Sequence, residues 1–218
     1  MNTQLEQLQE LKQIRSLMER SSRFISLSGL SGVSAGFFAL VGASLAYYYL
    51  DYRPFQSGEY YLKAASAMKW GMSYKSFFML DALSVVALAI GFGIYFTTRK
   101  ARVKGQSIWD KSARQMLLQI LIPLCAGGVF CLKLLYFGDF AMVAPATLIF
   151  YGLALVNGSK FTLHDVFYFG VAEVLLGLIA LFNLGYGLEF WTLGFGVLHI
   201  VYGYLMYYKY ERTNLTAV

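Results

Sequence analysis

The feature that most constrains this chain is a succession of apolar runs, each about 20 residues long. A helix rises about 1.5 Å per residue, so about 20 apolar residues cross the ~30 Å hydrocarbon core of a bilayer. The runs lack the strict alternation of barrel strands. The sequence therefore predicts an all-α fold, a polytopic membrane bundle of six transmembrane helices at about 24–50, 76–97, 115–137, 140–157, 163–183 and 190–208.

The amino-acid composition supports this fold class and indicates whether the chain binds lipid or nucleic acid. Apolar residues make up 58% of the 218 residues, and charged residues make up 14%, against about 25% in soluble domains. The net charge of +6 could suggest nucleic acid. The basic residues flank the apolar runs, however, as they do in membrane proteins. The lipid bilayer is the predicted partner, and no nucleic acid is expected.

The distribution of Lys and Arg predicts how the chain is threaded. Six spans leave both termini on one side, and that side would hold 13 of the 18 Lys and Arg residues: those before the first run, those of the 98–114 loop, Lys160, Lys209 and Arg212. The positive-inside rule then predicts cytoplasmic N- and C-termini, in a bacterial-type cytoplasmic (inner) membrane. The transmembrane domain would be 24–210 and the cytoplasmic tail 211–218.

Residues 1–23 are predicted to form an amphipathic cytoplasmic helix. Leu11, Ile14, Met18 and Ile25 follow helical spacing, with acidic and basic residues between them. The helix could lie on the membrane surface or extend the first span. Alternatively, residues 3–22 could make a coiled-coil contact with a cytoplasmic protein partner, and two to three heptads are too few to decide between these readings.

Small residues predict where helices approach one another closely. Small side chains let helix backbones come together in lipid. The first span could therefore support a homodimer, and the last two spans carry glycines near their centres. The predicted packing residues are Ser28, Gly32, Gly36, Gly170, Gly177, Gly196 and Gly203.

Two ionisable residues stand near the middle of the last two runs. Glu173 lies thirteen residues before Tyr186 in the intervening turn, and His199 lies thirteen after it. An antiparallel hairpin would place both at one depth, on the glycine-lined faces of their helices. We expect either a pair that binds a proton, a cation or a polar substrate group, or a polar contact that only fixes helix register.

Asp81 and Lys133 form a second candidate polar pair. Each lies a few residues inside the outer end of its predicted span, so their depths match. The plainer alternative is that Lys133 extends to the interface while Asp81 benefits from its position near a helix N-terminus.

The residue inventory argues against known catalytic architectures. His164 and His199 would lie at different depths, which excludes a bis-histidine haem, and neither an HExxH pair nor a P-loop occurs. No catalytic residue, metal or cofactor is therefore predicted. The first hypothesis is a non-enzymatic assembly, regulatory or interaction protein. The alternatives are a small proton-coupled or cation-dependent transporter or channel using Glu173 and His199, and an intramembrane enzyme acting on a lipid-soluble substrate.

Overall fold

The computed structural model describes residues 27–55, 68–103, 105 and 109–212. The predicted amphipathic helix at 1–23 and the end of the tail, 213–218, lie outside the described residues. The long helices are α1 (Gly29–Leu50), α2 (Tyr74–Val103), α3 (Lys111–Phe137), α4 (Phe140–Gly158) and α5 (Asp165–Leu181). A last helix follows in three consecutive segments: α6 (Gly187–Trp191), a π-helical turn (Thr192–Leu198) and α7 (His199–Tyr210).

Short elements connect the helices. A two-stranded hairpin, β1 (Met68–Lys69) and β2 (Met72–Ser73), precedes α2. Single 3₁₀ turns at Ser159–Phe161 and Leu184–Tyr186 lead into α5 and the last helix. The predicted all-α bundle is confirmed.

Within the described ranges, five helical segments are long and apolar enough to cross a membrane: Gly29–Leu50, Tyr74–Val103, Lys111–Phe137, Phe140–Phe161 and Leu184–Tyr210. α5 is shorter, at 17 residues. α2 continues to Val103, beyond the predicted end at 97, and α3 begins at Lys111 rather than at 115. Hydropathy marks only the part of a helix that matches a bilayer, whereas polar residues can continue the helix into water.

The helices run between two ends of the bundle. Ser28, before α1, contacts Glu211, after α7, and the start of α5 also lies there because Asp165 binds Lys209. We call this the terminal end. At the far end, Tyr49 of α1 donates a hydrogen bond to the carbonyl of Met72, before α2. The described chain therefore leaves the terminal end with α1 and returns to it with α7.

Glycines bring the inner helices together. A Cβ on Gly32 would lie 3.0 Å from the Cα of Gly203, and one on Gly36 would lie 2.6 Å from the carbonyl of Gly196. The small-residue ladder of α1 therefore packs on the last helix of the same chain. A homodimer through the first span would have to use the opposite face of α1, where Phe37, Val41 and Leu45 are exposed.

α4 and α5 approach each other in the same way. A Cβ on Gly170 would lie 2.8 Å from the carbonyl oxygen of Gly152, and one on Gly177 would lie 2.7 Å from Ile149 Cγ1. Close backbone approach of this kind suits helix association in lipid, where apolar burial provides little driving force.

α2 and α3 are different because they lie on the flanks. α2 packs chiefly on α1, and α3 packs chiefly on α4. In the most apolar 18 residues of each flanking helix 6% are buried, against 28–33% in the other three long segments. The flanks therefore present long apolar surfaces to their surroundings, as a bilayer allows.

Candidate functional site

The candidate site lies where α4, α5 and the last helix meet. Glu173 projects from the middle of α5 and is completely buried. His199, the first residue of α7, is 6% exposed, and its Nδ1 lies 3.6 Å from Glu173 Oε1. The structure thus brings together the two residues that the sequence placed at one depth, and their role in binding stays a prediction.

The imidazole of His199 is held from both sides. Nδ1 lies 3.0 Å from the carbonyl oxygen of Gly194, which can only accept a hydrogen bond, so Nδ1 carries the proton. In the neutral ring Nε2 is then an acceptor, and the hydroxyl of Tyr151 donates to it at 2.7 Å. Tyr151 comes from α4, so this side chain ties the last helix to α4.

Glu173 has no such support. In the part of the chain that the structure describes, neither carboxyl oxygen has a hydrogen-bond partner. The 3.6 Å to His199 Nδ1 exceeds a hydrogen bond, and that N–H already serves Gly194. Buried polar groups are normally bonded, so an orphaned carboxyl demands an explanation.

The π-helical turn shapes the site. A Cβ on Gly194 would lie 2.6 Å from Glu173 Oε2, so glycine is needed to leave room for the carboxyl group. The same residue offers its carbonyl to His199. π turns occur mostly as local widenings of α-helices, often at functional sites. Here the widened turn both accommodates the acid and orients the imidazole.

Aromatic rings enclose the imidazole. Tyr151 stacks on His199 with centroids 5.2 Å apart, Phe195 stacks at 5.7 Å, and Phe169 meets the ring edge to face at 4.8 Å. These rings make the surroundings apolar, which strengthens any electrostatic interaction between the acid and the imidazole. We call Glu173, His199, Tyr151 and Gly194 the core cluster.

Comparisons of the chain with protein-family models, with curated proteins and with solved structures find no match. The class of protein is therefore defined by fold and site alone. The fold is an all-α bundle whose five long apolar helices are compatible with an integral membrane protein. Its distinguishing feature is a buried acid facing an imidazole.

The structure does not bring Asp81 and Lys133 together. Asp81 lies against α1, where a Cβ on Gly42 would be 3.2 Å from its Oδ1. Lys133 is exposed on α3, with Nζ 4.6 Å and 4.5 Å from the ring centroids of Tyr136 and Phe137. The two residues do not form a pair within one chain, although their depths match, because α2 and α3 lie on different flanks of the bundle.

A second carboxyl group, Glu211, closes the terminal end. Its Oε1 accepts the backbone N–H of Gly29 at 2.7 Å and lies 3.3 Å from Lys100 Nζ. The hydroxyl of Ser28 donates to the same carboxylate at 3.2 Å. Ser28 thus belongs to a clamp that joins α1, α2 and α7, in addition to heading the predicted small-residue ladder.

A third carboxyl group lies at the far end. Glu189 accepts the backbone N–H of Phe55 at 3.2 Å. Burial, and after it the nearby Glu189 carboxylate, raises the pKa of the Tyr52 hydroxyl well above its usual range. Tyr52 therefore stays a hydrogen-bond donor at alkaline pH values that ionise an ordinary tyrosine.

Proposed function

We propose that the protein is a proton-coupled integral membrane protein, a small transporter or channel in which the core cluster binds the proton. The observation that carries this proposal is the complete burial of Glu173 without a hydrogen-bond donor on either oxygen. An ionised carboxylate in that position would cost several kcal/mol, and a bound proton removes the charge.

A proton suits the cluster better than a metal ion does. Divalent cations take several carboxylate, carbonyl or imidazole ligands. The described residues hold no group of three His, Cys, Asp or Glu side chains. One carboxyl, one imidazole and one phenol lie together instead, and the carboxyl group of Glu173 can hold a single proton without any further ligand.

The proposed orientation follows from charge. The terminal end carries the exposed basic residues Arg99, Arg102, Lys111, Lys160 and Arg212. By the positive-inside rule, this end would face the cytoplasm, with six crossings of a bacterial-type inner membrane. α5 lies at the short end of the range for a transmembrane helix, about 17 to 25 residues.

The test is proton flux in proteoliposomes. With an internal pH dye and an imposed potassium diffusion potential, the wild-type protein should admit protons. Glu173→Gln should abolish that flux and keep the unfolding temperature of wild type. His199→Ala should also abolish it and still unfold cooperatively, at a lower temperature because a buried ring is removed. The matched control is Glu189→Gln, which alters a glutamate away from the core cluster and should leave the flux unchanged. Wild-type vesicles no leakier than empty ones would overturn the proposal.

A second candidate is the interaction protein that the sequence favoured first. It is supported by the closed state of the core cluster, in which Glu173 is fully buried. Two depressions lie on α2, lined in part by Gly91, Tyr95 and Arg102, and Glu173 lines neither of them. Under this candidate, deletion of residues 2–20 should release a co-purifying cytoplasmic partner. Unchanged co-purification would exclude that role for the N-terminal segment.

A further inference from the structure

The flanking helices carry two charges of opposite sign that find no partner in the described part of the chain. The carboxyl group of Asp81 lies against Gly42 of α1 and has no hydrogen bond or ion pair there, and Lys133 Nζ lies over the rings of Tyr136 and Phe137 of its own helix. Asp81 lies seven residues inside the start of α2, and Lys133 lies four residues inside the end of α3. At 1.5 Å per residue these depths are about 10 Å and about 6 Å from the far end.

We propose that a second copy of this chain covers the flank, with α3 of one copy packed on α2 of the next and Lys133 paired with Asp81. Unpaired charges within a bilayer cost several kcal/mol, whereas an ion pair across an interface returns part of that cost and fixes register. The inference does not depend on the core cluster.

Each charge belongs to a line of side chains on its helix. The α2 stripe has spacings of three and four residues and is exposed beyond Asp81: Asp81, Ser84, Leu88, Gly91 and Tyr95. The α3 stripe has the same kind of spacing and is exposed throughout: Ile122, Ala126, Val129 and Lys133. Residues at three- and four-residue spacing share a face, so each stripe is a continuous contact surface.

The two stripes also match in register. In copies that share one membrane orientation, α2 and α3 run antiparallel. Gly91 lies ten residues from Asp81 toward the terminal end, and Ile122 lies eleven from Lys133 in the same direction. These separations are about 15 Å and about 16.5 Å. When Lys133 of one copy pairs with Asp81 of the next, Ile122 therefore lies beside Gly91.

Gly91 offers space for that side chain. A Cβ on Gly91 would meet nothing within 4 Å, unlike one on Gly32, Gly170 or Gly203. An apolar depression of about 390 Å³ lies there, lined by Ala87, Leu88, Gly91, Phe92 and Tyr95. The depression is the place on α2 that Ile122 of the next copy would fill.

This contact is heterologous because it uses a different surface on each copy. An open row of copies therefore leaves one α2 stripe free at one end and one α3 stripe free at the other. A closed ring is the arrangement that leaves no stripe uncovered.

The experiment uses charge exchange between copies. Donor- and acceptor-labelled full-length chains are reconstituted in lipid vesicles, and energy transfer reports association. Asp81→Lys alone places Lys opposite Lys133, and Lys133→Asp alone places Asp opposite Asp81. Each variant by itself should associate at least about tenfold more weakly than wild type. A mixture of the two variants should recover association, because Lys at 81 then meets Asp at 133.

The mixture separates this proposal from pairing within one chain, which mixing cannot restore. Lys75→Asp, a charge change at the same end but outside both stripes, should associate like wild type. No association of wild-type chains, or no recovery in the mixture, would overturn the proposal.

A second pair of variants is independent of the charges. Gly91→Leu fills the depression and should weaken association. Gly93→Leu is the matched control, since a Cβ on Gly93 also meets nothing within 4 Å but Gly93 lies off the α2 stripe. Equal association of the two variants would contradict the proposal even if the charge variants failed to fold.

Discussion

Glu173 and Glu211 are two carboxyl groups of one chain that have opposite surroundings. Glu211 is 15% exposed in its side chain and receives three donors: the Gly29 N–H, the Ser28 hydroxyl and the Lys100 ammonium group. Glu173 is fully buried and receives none from the described residues. The hydrogen bonds of Glu211 join helices and stabilise the bundle. The burial of Glu173 without such bonds lowers the stability of the bundle.

The surroundings of Glu211 are those of a carboxyl group that stabilises the fold. The surroundings of Glu173 are not, which is why we assign it a role in binding a proton. A contact that only fixes helix register would be expected to satisfy its polar groups, as Glu211 does at the N-terminus of α1, where negative charge is favoured. Stability measurements can therefore test the distinction directly. The following variants go from the largest expected effect to the smallest.

Glu211→Ala should be the most damaging change. It removes the acceptor from three groups and leaves Lys100, 9% exposed, without its carboxylate. We expect a loss of about 3 kcal/mol of unfolding free energy, the usual effect of breaking a buried pair. Thermal unfolding in detergent, followed by circular dichroism, measures it. Asp165→Asn is the matched control: its ion pair with Lys209 is more exposed, so its loss should stay below about 1 kcal/mol.

Gly194→Ala should come next. The added methyl group would stand 2.6 Å from Glu173 Oε2, so the carboxyl group or the π turn has to move. Overpacking of this kind costs about 1 to 3 kcal/mol. Gly93→Ala, at a position with open space, should be nearly neutral in the same unfolding assay. Equal stability of the two variants would mean that the core cluster is not tightly packed.

Tyr151→Phe should cost about 1 kcal/mol. The ring stays in its stack on His199, but Nε2 loses the donor that the described residues give it. Tyr204→Phe, which alters an exposed tyrosine, serves as the control. A loss no larger than that of the control would show that the hydroxyl of Tyr151 does not hold the imidazole.

Glu173→Gln should have the smallest effect on stability, within about 1 kcal/mol of wild type, because no hydrogen bond to a charged group is lost. Infrared difference spectroscopy of the same samples should show the loss of a protonated carboxyl band. A destabilisation like that of Glu211→Ala would end the contrast between the two carboxyl groups and return Glu173 to a structural role.

Much of the fold could be predicted because bilayer length and apolar composition leave few alternatives. The meeting of Glu173 and His199 also followed from counting residues on either side of Tyr186. Tyr151 could not be found in this way. It is one of 17 tyrosines, and nothing in the fourth run marks it as the residue that reaches the imidazole.

The sequence also could not predict which helices the glycines and Asp81 contact. Hydrophobic periodicity indicates which helices cross a bilayer, but not which of them become neighbours. The ladder of α1 could equally have met a second copy, yet it meets Gly196 and Gly203 of the last helix. Gly194 lay in a Gly-Phe-Gly triplet whose π geometry depends on packing around Glu173 and was not foreseen.

The contact between Ser28 and Glu211 brings the start of the first helix close to the end of the last one. A short linker between these two points would allow the chain to be reopened at the Gly138 turn, with every helix kept in its place. Such a circular permutant would begin and end at the far end of the bundle. The contacts between the helices would be the same in the permutant. Its insertion into the membrane, however, would have to start from the opposite side.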